Sequence, residues 1–177
     1  MDKKAIFLDR DGVLNESIVK NGKPYPPASL EELVIAADVL PALKKLQALG
    51  YVLIGATNQP DVARGTTRLD TVESINAALL SLLPLEEIRT CYHDDKDDCP
   101  CRKPLPGLIL SAAAEKKINL DKSIMIGDRW KDIEAGQRAG CKTVWLNKKY
   151  KERGPKLPPD YTADTLMQAA EWIERFC

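Results

Sequence analysis

The chain has 177 residues, and its 26 Lys plus Arg balance 26 Asp plus Glu, so it carries no formal net charge. That balance gives no electrostatic reason to bind nucleic acid or an anionic membrane, and the expected partner is a small molecule. The length suits a single domain over residues 1–177, expected to be monomeric and large enough to fold without disulfides. The opening Met1-Asp2-Lys3-Lys4 leads into only four apolar residues before Asp9, too short for a signal peptide, and no apolar run approaches a membrane span. A cytoplasmic location is expected, where the five cysteines stay reduced and serve as metal ligands or buried thiols.

Taken in order, short apolar runs alternate with amphipathic stretches, the pattern of βαβ units around a parallel sheet. Ala5 to Leu8 reads as the first strand, and the proline-rich segment from Asn15 to Glu32, with Lys20 to Pro27 as an insertion, as a loop. Asp38 is placed to cap a helix through Leu49, with Leu40, Leu43 and Leu46 inward and Gly50 ending it. Tyr51 to Ala56 is the second strand; Asp70 and Glu73 suggest a capping box opening a helix to Leu83. Ile88 to Tyr92 is a third strand, followed by a polar loop and a helix from Pro106 to about Lys117. Ser123 to Ile126 gives a fourth strand, Lys131 to Ala139 a helix stopped by Gly140, and Thr143 to Leu146 a fifth strand. Lys148 to Pro159 reads as a surface loop, and Asp164 opens a last helix with Leu166, Ala170 and Ile173 inward.

In open parallel sheets the working residues gather beyond the carboxyl ends of the strands. Here those ends carry Asp9-Arg10-Asp11-Gly12, then Thr57-Asn58, then Gly127-Asp128 with Asp132 one helical turn on. Each element alone is an ordinary cap or turn former. Together they would crowd carboxylates at one edge, where mutual repulsion calls for a cation and hard oxygen donors select magnesium.

The run Phe7-Leu8-Asp9-Arg10-Asp11-Gly12-Val13-Leu14-Asn15, with Thr57, Lys103 and Asp128 following in order, resembles the haloacid dehalogenase superfamily over nearly the whole chain. The resemblance implies a Rossmann-like α/β fold with a central parallel sheet, helices on both faces, and a phosphatase activity. It implies Asp9 as nucleophile, Asp11 as general acid/base, and Thr57 and Lys103 as holders of the phosphoryl group. Asp9, Asp11 and Asp128 would hold magnesium, with Asp132 orienting its bound water. No cap domain is expected, because a helix, a strand and one loop fill the interval from Thr57 to Lys103. Asn58, Arg102 and Arg129 are then candidates for substrate contact, Arg102 for a hydroxyl or a second phosphate of a sugar.

Cys91, His93, Cys99 and Cys101 form two pairs, each with one residue between its members, joined by a short acidic loop. That spacing can wrap one tetrahedral ion and predicts a structural zinc site, because four protein ligands leave no position for water or substrate. Cys101 runs directly into Arg102 and Lys103, so a zinc loop over 91–103 would pin the phosphoryl-binding lysine. Loops of this kind occur in the histidinol-phosphate and heptose 1,7-bisphosphate phosphatases. The stretch Thr57 to Gly65 is similar to the heptose branch and the His93 to Cys99 gap to the histidinol branch; the former, beside the reaction centre, favours a heptose phosphate. A receiver-like signalling module would share the acidic pocket. Asp11 argues against it, since an acid/base beside an acyl-phosphate shortens its life. An inactive zinc-bearing interaction module is disfavoured, because every catalytic position holds a competent residue.

Overall fold

The structure, a computed structural model, describes residues 3–177. Its main sheet contains β1 (Lys4–Leu8), β4 (Tyr51–Asn58), β5 (Glu87–Cys91), β6 (Ile124–Gly127), β7 (Lys142–Leu146) and β8 (Tyr161–Ala163), while β2 (Ile18–Lys20) and β3 (Lys23–Tyr25) form a separate hairpin. The six strands of the main sheet are all parallel, in the order β5-β4-β1-β6-β7-β8.

Helices cover both faces, which is why β1 is apolar at every position from Ala5 to Leu8. Ile6 and Leu8 pack with Leu43 and Leu46 of α1 (Val39–Ala48), Leu79 of α2 (Leu69–Leu82) and Ile173 of α5 (Leu166–Phe176). Ala5 and Phe7 face the other way, onto Ile109 and Ala112 of α3 (Gly107–Lys116) and Ala135 of α4 (Trp130–Ala139). The same alternation splits Leu53 from Ile54 in β4, and Ile124 and Ile126 from Met125 in β6. The α/β expectation therefore holds, and no cap domain interrupts the sheet.

Several local expectations give way to the tertiary structure. Within the proline-rich segment lies the β2–β3 hairpin, turned by Asn21 and Gly22, both at positive φ (55° and 79°). Asn-Gly between short strands is a hairpin signal in its own right, and Pro24 is tolerated because the ribbon has no third strand. The expected Lys148 to Pro159 loop leads into β8, a sixth strand too short to show a periodicity. Asp38 occupies the cap position of α1 as expected, but its side chain makes no capping bond; its Oδ2 accepts from the Met167 amide at 3.2 Å and so ties α1 to α5. No capping box forms at α2, whose cap position is Arg68. Asp70 pairs with that arginine, and Glu73 accepts from the Tyr92 hydroxyl. Thr165, not Asp164, caps α5, accepting from Gln168 N at 3.2 Å. At α2 and α5 the path of the chain, and not the presence of a capping residue nearby, decides where the helix starts. Among the described residues no helix is long and apolar enough to cross a membrane.

Candidate active site and metal centres

Because β4, β1 and β6 are neighbours, their carboxyl ends set Thr57, Asp9 and Asp128 side by side. Lys103, from the loop after β5, reaches across them. Its ammonium donates to Asp9 Oδ1 at 2.8 Å, Asp132 Oδ1 at 2.6 Å and the Ala56 carbonyl at 2.6 Å, using all three donors. Asp9 Oδ1 also accepts from the Arg10 amide at 2.8 Å, and no hydrogen bond reaches its Oδ2 among the described residues. Asp132 Oδ2 is taken by the Arg129 amide at 2.9 Å. Asp128 receives the Tyr150 hydroxyl on Oδ2 at 2.7 Å, and its Oδ1 is buried without a hydrogen-bond partner.

Carboxylate oxygens of Asp9, Asp128 and Asp132 lie within 4.8 Å of one another, all three residues buried. Three carboxylates against the single ammonium of Lys103 leave two negative charges in excess, the charge of one divalent cation. Burial first, then the neighbouring carboxylates Asp9 and Asp132, push the Asp128 carboxyl well above the usual range. Asp9 is raised by burial and by Asp132, and Lys103 counteracts this. Burial opposes the charge of Lys103, but Asp132 and Asp9 outweigh it and hold the ammonium above its ordinary value. The unpartnered Asp128 Oδ1 and the surplus charge both fit a hard cation such as magnesium.

The Asp11 carboxylate stands outside this cluster but lines the same cavity as Asp9. Arg10, fully buried, grips it through Nε at 3.2 Å and Nη2 at 3.0 and 3.1 Å; Asn15 Nδ2 and Gln59 Nε2 donate at 3.0 and 2.7 Å. Gln59 also donates to Thr57 Oγ1 at 3.0 Å, so one amide holds Asp11 and Thr57 together. Asn58 clamps the Lys103 main chain, accepting from its N at 3.0 Å and donating to its O at 2.9 Å. Gly12 (φ +88°) makes the close turn possible, since a Cβ there would lie 1.8 Å from Asp128 Oδ2.

The donor atoms of Cys91, His93, Cys99 and Cys101 also fall within 4.8 Å of one another, and no disulfide joins these cysteines. Sulfur–sulfur separations of 3.0, 3.4 and 3.6 Å and nitrogen–sulfur separations of 3.3 and 3.5 Å approach the edges of a tetrahedron. Zinc–sulfur bonds of about 2.3 Å would space thiolates by about 3.8 Å. Cys91 anchors the group to the core beside Ala56 and Leu108. Arg102 folds onto this loop, donating to Asp95 Oδ1 at 2.7 Å and to the His93 carbonyl at 3.4 Å.

A cavity of about 370 Å³ opens above Asp9, Asp11, Thr57 and Lys103. The hairpin supplies one wall with Lys23 and Tyr25, and the segment after β7 another with Tyr150 and Glu152. Asn58 and Arg129 line it, as does Lys131; Arg102 is not among the lining residues. Arg129 is paired with Glu152 at 2.7 Å. Sequence reasoning missed Gln59, Tyr150 and Lys131. Gln59 lies beside a strand end and was open to inference, whereas nothing in the sequence links Tyr150 to Asp128.

A parallel sheet whose strand ends and following loops bring two aspartates of an Asp-x-Asp-Gly turn, a threonine, a lysine and a late aspartate to one edge defines a haloacid dehalogenase-like phosphatase. A sequence profile described as HAD-hydrolase-like matches residues 100–169. The D-glycero-beta-D-manno-heptose-1,7-bisphosphate 7-phosphatase of Helicobacter pylori is 38% identical over 149 residues, 81% of this chain and 83% of its own. The enzyme of the same name from Haemophilus influenzae is 33% identical over 97% of both chains. A crystal structure of D,D-heptose 1,7-bisphosphate phosphatase from B. bronchiseptica, complexed with magnesium and phosphate, superimposes with a TM-score of 0.82 at 29% identity, covering 99% of each chain. The chain belongs to the D-glycero-D-manno-heptose-1,7-bisphosphate 7-phosphatase family of the haloacid dehalogenase superfamily.

Proposed function

We propose that this chain removes the 7-phosphate of D-glycero-D-manno-heptose 1,7-bisphosphate through a phosphorylated Asp9. The observation that carries the reading is the convergence of Lys103 Nζ on Asp9 Oδ1 at 2.8 Å at the floor of the cavity, with the carboxylates of Asp128 and Asp132 grouped around Asp9. With Oδ1 engaged by Lys103 and the Arg10 amide, Oδ2 of Asp9 is the oxygen available to attack phosphorus. The new bond from that oxygen to phosphorus forms as the bond to the sugar oxygen breaks, and Asp11, as general acid, gives a proton to the departing alkoxide. Water then attacks the aspartyl-phosphate, Asp11 takes the water proton, and phosphate leaves with Asp9 restored. Arg10, Asn15 and Gln59 hold Asp11 at the edge of the cavity. Thr57 and Lys103 donate to the phosphoryl oxygens, where charge builds in the transition state.

Asp9 and Asp128 would hold magnesium through their side chains. Asp11, with its carboxylate committed, would offer its main-chain carbonyl, and Asp132, with both oxygens engaged, would orient bound water. Bound magnesium supplies charge neutralisation at the phosphoryl oxygens. Cys91, Cys99 and Cys101 with His93 would hold zinc, as a brace for the segment leading into Lys103. The second phosphate of the substrate would lie against Arg129 and Lys131, which line the cavity, and not against Arg102.

The test is phosphate release with magnesium from heptose 1,7-bisphosphate, histidinol phosphate and p-nitrophenyl phosphate. Multiple turnovers on the heptose substrate with the highest kcat/KM are expected, and Asp9→Asn should lose turnover while keeping the native circular dichroism. Preference for histidinol phosphate would overturn the substrate, and a fully active Asp9→Asn the mechanism.

A further inference from the structure

Asp128 is held at two points. Its carbonyl accepts from Trp145 Nε1 at 3.0 Å, and its Oδ2 accepts from the Tyr150 hydroxyl at 2.7 Å. The remaining oxygen, Oδ1, is buried and has no hydrogen-bond partner among the described residues. One side of the carboxylate is thus occupied and the other is presented. Tyr150 is itself fixed. The next residue, Lys151, donates its amide to the Gly22 carbonyl at 2.8 Å, and Glu152 pairs with Arg129 at 2.7 Å. The space around the hydroxyl is also set, since a Cβ on Gly12 would come within 3.1 Å of it.

A carboxylate that must turn one particular oxygen to a cation gains from a donor that fixes the other. Without the hydroxyl, the Asp128 carboxylate is free to rotate about its Cβ–Cγ bond, and Oδ2 loses a donor in a site already rich in negative charge. We propose that Tyr150 is the positioning residue for Asp128, its hydroxyl fixing the carboxylate so that Oδ1 faces the cation and thereby setting the affinity of the site for magnesium. This rests on the reading of Asp128 as a magnesium ligand. It also gives the segment after β7 a function: the wall of the cavity reaches back to the metal site through one phenol.

The experiment is calorimetric titration of the zinc-loaded, substrate-free protein with magnesium chloride, for wild type, Tyr150→Phe and Tyr150→Leu. The Phe variant should bind magnesium about 10-fold more weakly, at the lower end of what loss of such a supporting partner costs. Its half-saturating magnesium for phosphate release should rise by the same factor, with kcat recovered at high magnesium. Equal affinity of Tyr150→Phe and wild type, with only the Leu variant weakened, would mean that the ring packs and the hydroxyl does nothing, and would overturn the proposal. A folded wild type that binds no magnesium would instead overturn the underlying reading of Asp128.

Discussion

Replacing Asp128 by Asn is expected to stabilise the metal-free protein while abolishing its response to magnesium. Asp128 is only 2% exposed, its Oδ1 lacks a partner, and burial with Asp9 and Asp132 nearby opposes its charge. Leaving a buried polar atom unsatisfied costs ~1–3 kcal/mol, and more when it is charged. Asparagine is nearly isosteric, keeps an oxygen for the Tyr150 hydroxyl, and turns an NH₂ toward a cluster rich in acceptors. A gain of about 2 kcal/mol in a chain of this size corresponds to a melting temperature roughly 4–8 °C higher. Magnesium works in the opposite direction on the two proteins. At a hundredfold excess over its dissociation constant it should stabilise the wild type by about 2.7 kcal/mol and the variant by nothing. Differential scanning calorimetry of both proteins in EDTA and in magnesium chloride measures all four states. An Asp128→Asn protein that melts below the wild type in EDTA, or that gains as much from magnesium, would refute the account of a charge surplus held for a cation.

Two further outcomes follow from the same site. Lys103→Met leaves Asp9 and Asp132 buried without their shared cation, and should cost about 3–5 kcal/mol in urea denaturation of the metal-free protein; unchanged stability would mean that the ion pairs hold nothing together. At the second centre, burial raises the thiols of Cys91 and Cys101, so both are protonated until a metal displaces the proton. Zinc uptake should therefore release protons and weaken steadily as pH falls from 8 to 6 in a chelator competition, whereas constant affinity over that window would exclude thiolate ligation.

How much of this was legible in the sequence depended on whether a position was set by topology or by a side chain's direction. Asp9, Thr57 and Asp128 close strands that are neighbours in the sheet, so strand order alone brings them together. The Cys91, His93, Cys99 and Cys101 spacing was likewise legible, because a short loop confines the donors whatever its path. Side-chain direction was not. Arg102 and Lys103 are consecutive, yet one folds onto the metal loop and the other enters the carboxylate cluster. Asn58 stands next to Thr57 but spends its amide on the Lys103 main chain. The Asn21-Gly22 turn was readable and was outweighed by the surrounding prolines, whereas β8 is a strand only because β7 offers it an edge.

The buried Arg10 shows why an ordinary-looking residue within a motif can matter as much as the aspartates. Besides gripping Asp11, its guanidinium donates through Nη1 to Asn76 Oδ1 at 3.1 Å, and Asn76 Nδ2 donates to Thr90 Oγ1 at 3.1 Å. A chain of polar contacts thus runs from Asp11 to α2 and on to β5, the strand that ends in Cys91. Lysine at position 10 could supply the charge but neither the two-point grip on Asp11 nor the simultaneous bond to Asn76, since a planar guanidinium spreads its donors and an ammonium does not. The acid that must hand over and recover one proton is therefore tied through α2 to the strand that leads into the metal loop, so the two centres are linked by polar contacts without sharing a ligand.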